Sequence, residues 1–102
     1  DQNVPILSLG GQGVISVLSN VCPGEVHDMV SAAHRGDFRA AAAEQNRLMP
    51  LIDALFCEVN PIPVKAALDL LGFDVGTPRL PLCPMEPEHL SRLRAALRSY
   101  LG

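Results

Sequence analysis

The sequence predicts a mostly α-helical chain with one strand that has no partner, the end of a larger α/β protein. Two observations carry that reading. Gly10, Gly11 and Gly13 punctuate a turn, and Val14-Ile15-Ser16-Val17-Leu18 then forms a β-branched, nearly continuous apolar run of the length of a strand buried on both faces. From Glu25 onward the apolar residues fall at helical spacing, and no second run could pair with the first.

Taken in order, Asn3 is placed to cap a short helix carrying Val4, Ile6, Leu7 and Leu9, with Pro5 in its first turn and Gly10 or Gly11 ending it. After the strand, Ser19-Asn20-Val21-Cys22-Pro23-Gly24 holds turn formers and a proline suited to a helix start. Val26, Met29, Val30 and Ala33 then give one apolar stripe from Glu25 to about Arg35, with Gly36 as the left-handed residue after it.

Asp37 caps the next helix, where Phe38, Ala41, Ala42, Leu48, Leu51, Ile52, Leu55 and Phe56 share a face interrupted by polar Gln45. Pro50 lies inside it and predicts a kink or a split. Glu58 to Pro63 is expected to be extended, since residues before proline are pushed out of the helical region, and Pro63 opens a helix through Val64, Leu68 and Leu71 to Gly72. Phe73 to Pro87 has no period, is rich in proline and reads as a surface loop whose Leu80, Leu82 and Met85 need a partner. The final helix, about Pro87 to Leu101, sets Leu90, Leu93, Leu97 and Tyr100 on one face, with Glu88 near its start and Arg92, Arg94 and Arg98 further along.

Composition narrows the function classes. Hydrophobic residues are 48% and charged residues 19%, and the net charge of −3 comes without runs of one sign, which argues against nucleic acid and anionic membrane as partners. No stretch approaches the about 18 apolar residues of a membrane span, and the first residues do not resemble a signal peptide, so a cytoplasmic location is expected. Cys22, Cys57 and Cys83 are widely spaced and odd in number, which reads as reduced, mostly buried small hydrophobes.

The candidate chemistry is thin. The glycine cluster lacks the dinucleotide-binding pattern, since Ser16 stands where the third glycine belongs and the glycines precede the strand, so a tight turn is the better reading. His27 and His34 lie seven residues apart, about 10 Å along a helix, too far to share a metal ion. Lys65, the only lysine, sits in the first turn of an amphipathic helix and not in the desolvated pocket that a Schiff-base lysine needs. No serine occupies a strand-to-helix elbow that would expose a nucleophile.

Three motifs do resemble a known family. Leu9-Gly10-Gly11-Gln12-Gly13-Val14-Ile15-Ser16-Val17 is similar to the last barrel strand of the dihydrodipicolinate synthases of lysine biosynthesis. Arg47-Leu48-Met49-Pro50-Leu51 is similar to their kinked helix, and Glu58-Val59-Asn60-Pro61-Ile62-Pro63-Val64-Lys65 with Leu80-Pro81-Leu82 to their C-terminal segment.

The resemblance implies a (β/α)8 barrel with an added helical C-terminal domain, residues 1–20 closing the barrel with a short helix and the last strand and residues 21–102 forming the helical domain. It further implies condensation of pyruvate with aspartate semialdehyde through a lysine Schiff base, with nucleophile and proton relay on earlier strands outside these residues. Lys65 matches the family's helix lysine, not its nucleophile. Ile15 would pack against pyruvate, and Gly11 and Gly13 would permit the turn before it. No cofactor or metal is implied. The family is tetrameric, and a dimer is conceivable for these residues alone. Two other readings stay open: an autonomous helical interaction module, and a related pyruvate-dependent aldolase such as N-acetylneuraminate lyase.

Overall fold

A computed structural model describes residues 1–102, with five helices: α1 (Asn3–Ser8), α2 (Pro23–His34), α3 (Phe38–Leu55), α4 (Ile62–Leu70) and α5 (Pro87–Leu101). A single 3-10 turn, Leu18–Asn20, precedes α2. The chain forms two compact units, Asp1–Met49 and Pro50–Gly102.

In the first unit, Val4 and Leu7 of α1, Leu18, Val21 and Cys22, Val26, Met29, Ala32 and Ala33 of α2, and Ala41 and Leu48 of α3 form the core. A six-residue helix is too short to hold itself together. Gln45 supplies what α1 lacks: its Oε1 accepts the Val4 N–H at 2.8 Å and its Nε2 donates to the Asp1 carbonyl at 2.7 Å. The polar interruption in the α3 stripe is therefore the N-terminal cap of another helix, and the expected cap, Asn3, is simply the first helical residue.

Helix ends follow glycine. At the end of α1, Gly10 has φ +101°, and the N–H groups of Gly10 and Gly11 reach the carbonyls of Leu7 and Ile6 at 3.1 Å. Gly36 with Asp37 after α2, and Gly72 with Phe73 after α4, repeat this paired closure. Asp37 then starts α3, its Oδ1 accepting the Ala40 N–H at 3.0 Å.

In the second unit, Leu51, Ile52, Ala54 and Leu55 of α3, Ile62, Pro63, Val64 and Ala67 of α4, and Leu93 and Leu97 of α5 are buried. Glu58 fixes the start of α5 from a distance, accepting the Glu86 N–H at 2.9 Å and meeting His89 Nδ1 at 2.7 Å. A carboxylate there satisfies an orphan donor and complements the positive helix end.

Several expectations are corrected. Val14 to Leu18 forms no strand: the segment is irregular up to Ser16, bends at Val17 and turns into 3-10 helix at Leu18. A strand exists by pairing its backbone with another, and no neighbour here offers one. Pro50 does not split α3, because Pro50 and Asn46, whose carbonyl loses its donor, are both exposed and water can serve that carbonyl. Residues 58–63 are not extended: Ile62 N–H bonds the Val59 carbonyl at 3.0 Å across a cis Asn60–Pro61 peptide, the arrangement of a type VI turn. Phe38 and Phe56, at the ends of the α3 stripe, are exposed, as is Leu80 in the loop. Of the cysteines only Cys22 is buried; Cys57 is half-buried and Cys83 exposed.

Gln45→Leu should cost about 1–3 kcal/mol, the usual penalty for leaving a buried donor unpaired. Urea titration measures it, and amide exchange should show Val4 losing protection. Burial pushes the Cys22 thiol up to about 11, with Glu25 adding to the effect. Because the folded value lies above the unfolded one, the unfolded chain releases this proton first, so stability present below pH 9 is lost as pH rises towards about 11. The loss should be about 2–3 kcal/mol, absent in Cys22→Ala and measured by urea midpoints across that range.

Candidate functional site

The segment from Gly10 to Asn20 carries the residues singled out for a site. Its start is fixed by the end of α1. A Cβ on Gly11 would lie 2.9 Å from the Ile6 carbonyl oxygen and 3.1 Å from Ile6 Cγ2, inside contact distance of the group that Gly11 N–H bonds. Gly11 is thus a true close approach of backbone to helix. Gly13 differs: a Cβ there meets nothing within 4 Å, and its φ is not in the left-handed region. The left-handed residue of the turn is Gly10, which the motif reading left among the helix terminators.

Beyond the glycines the chain is held by hydroxyls. Ser16 Oγ accepts the Ser19 N–H at 3.1 Å, Ser19 Oγ donates to the Ser16 carbonyl at 2.7 Å, and Asn20 Nδ2 donates to the Val17 carbonyl at 3.0 Å. Ser16 therefore caps the 3-10 turn, a serine in its favoured local role. Leu18 at the start of that turn is buried, which anchors the far end of the segment.

Between the two anchors Ile15 stands fully exposed, with a relative accessibility of 107%. Ile6 and Leu9 of the same unit are exposed as well. Ile15 thus projects from a short arch whose ends are tied down, beside a half-buried Val14. The arch can present an apolar surface; it contains no acid, base or nucleophile with a shifted proton affinity. Gly11 and Ile15 lie on this one arch, while Gly13 is a spacer between them.

The other candidates lie elsewhere. His27 and His34 are on the exposed side of α2, with Ser31 Oγ 3.4 Å from His27 Nε2. No group of three His, Cys, Asp or Glu side chains is placed to hold a metal ion. Lys65 is half-buried and donates to the Val75 carbonyl at 2.6 Å within the second unit. No helix is long and apolar enough to cross a membrane. What the sequence reading missed are Gln45 and Glu58, polar residues whose partners lie 28 to 44 positions away, a distance no local pattern reports.

Gly11→Ala and Gly13→Ala separate the two glycines. The first should destabilise by about 1–3 kcal/mol, as close-packed backbone permits little relaxation. The second should be neutral or stabilising by up to about 1 kcal/mol, because alanine restricts the unfolded chain. Equal effects in chemical denaturation would contradict the assignment.

Comparison with known proteins adds to this geometry. Residues 1–100 match the dihydrodipicolinate synthetase family. The 4-hydroxy-tetrahydrodipicolinate synthase of Caldicellulosiruptor bescii is 53% identical over 100 residues, covering 98% of this chain and 34% of that protein. The crystal structure of dihydrodipicolinate synthase from Aquifex aeolicus superposes with a TM-score of 0.93 at 46% identity, over 96% of this chain and 33% of that one. A monomeric dihydrodipicolinate synthase variant is 42% identical with a TM-score of 0.93, over 96% of this chain and 33% of that one. The chain spans about a third of the length of the relatives it matches.

Proposed function

The chain belongs to the dihydrodipicolinate synthetase family, and from that premise we propose that it is the C-terminal third of a 4-hydroxy-tetrahydrodipicolinate synthase. That enzyme is a lyase of lysine and diaminopimelate biosynthesis. The parent condenses pyruvate with aspartate semialdehyde through a lysine Schiff base in the cytoplasm, as a homo-oligomer. In this reading residues 1–20 close a (β/α)8 barrel and residues 21–102 form the added helical domain.

The observation that supports it is the arch. Residues that resemble a barrel strand form no strand here and leave Ile15 exposed, as a strand would when its neighbours are absent. In the parent, Ile15 forms an apolar wall against pyruvate, Gly11 brings the wall's base against α1, and Gly13 gives the backbone room between them. The chemistry is supplied elsewhere. The single lysine, Lys65, already serves a main-chain carbonyl, and Ser16 caps a turn.

These residues alone should therefore show no synthase activity and form no borohydride-trapped pyruvyl adduct; mass spectrometry finding one on Lys65 would defeat the proposal. In a full-length enzyme, Ile15→Ala should raise the KM for pyruvate several-fold with kcat much less affected, because it trims uniform apolar contact and not a proton-transfer group.

A further inference from the structure

The proposed synthase function leaves Lys65 and Asp69 of α4 without a role. They lie four residues apart, hence on one face of the helix. Lys65 Nζ donates to the Val75 carbonyl at 2.6 Å, and Asp69 Oδ1 accepts the Val75 N–H at 3.2 Å. Both main-chain groups of one loop residue are thus taken by two side chains of opposite charge, each matched to the polarity it meets. Backbone that would otherwise need a neighbouring strand or water is satisfied by a helix face.

The segment so held runs from Phe73 to Glu86 and contains no regular structure. Its near end is set by the Phe73 N–H bond to the Leu68 carbonyl, at 2.9 Å, and its far end by the Glu86 N–H bond to Glu58. Between them the segment walls a cleft of about 310 Å³, with Pro78, Pro84 and Met85 opposite Ile62, Ala66 and Leu70. Two fixed ends some thirteen residues apart do not by themselves press such a chain onto α4. Apart from a local Leu82 to Arg79 turn bond, the Val75 pair is the hydrogen bonding between those ends.

We propose that Lys65 and Asp69 act together as a two-point latch on Val75 that holds residues 73–86 as a strap over α4 and governs access to the cleft beneath it. Releasing either point frees the middle of the strap and wets the apolar cleft, while α4 and α5 keep their own helical bonds. Lys65 and Asp69 are positioning residues in this role.

The test is amide exchange of the full chain, read at Val75, with peroxide oxidation of half-buried Met85 followed by mass spectrometry against fully buried Met29 of the other unit. In Asp69→Ala the Val75 amide should exchange about tenfold faster, as expected when a local opening loses one bond. Lys65→Met should also speed Val75 exchange, and in both variants Met85 should oxidise several-fold faster relative to Met29. Asp69→Asn keeps an acceptor oxygen and should retain most of the protection at Val75. The latch is overturned by unchanged Val75 exchange in Asp69→Ala, or by unchanged Met85 oxidation in both variants. It is equally overturned if the amides of Ala67 in α4 and Leu71 at its end lose protection alongside Val75, since that would be loosening of the whole unit.

Discussion

The Gln45 amide gives the first helix the start that its own residues do not supply. Six residues of helix cannot pay the nucleation cost alone, and α1 lacks a side-chain cap of its own. Two hydrogen bonds across more than forty positions tie its start to α3, while Val4 and Leu7 are buried in a helix that packs against α2. Once α1 is fixed, its closure through Gly10 and Gly11 fixes the direction in which the arch departs. The exposure of Ile15 is the last step of that chain of dependence.

The same device recurs in the second unit. Glu58 caps α5 from 28 residues away, and Lys65 with Asp69 takes up the backbone of Val75. In each case a polar side chain in or beside an apolar pattern satisfies main-chain groups that helical bonding leaves open. No buried side-chain nitrogen or oxygen lacks a partner. The apolar faces hold the helices, and these directed contacts keep the irregular segments in place against them.

Under the proposed function, these residues contribute a surface to the synthase site. The chain's matching relatives are about three times as long, and the residue proposed to meet substrate is one apolar side chain, Ile15, with two glycines shaping the backbone before it. A wall of that kind acts by shape and by excluding water, and its effect is on binding. One solved relative that shares this part of the fold is a monomeric variant.

The sequence by itself determined the five helices, most of the residues on their inward faces, and the glycines that end α1, α2 and α4, because helical period and left-handed backbone are local properties written in neighbouring residues. Motif similarity also made the family legible before any coordinate. Tertiary structure alone decided the rest. A strand is a relation between two segments, so Val14 to Leu18 could carry every mark of one and still form none. Gln45 read as an interruption of an apolar stripe, and Pro50 as a kink or a split, until the structure showed one facing an orphan helix end and the other facing water within an unbroken helix. Gly11 and Gly13 are the same residue in the sequence; only the nearness of the Ile6 carbonyl leaves one of them no room for a side chain.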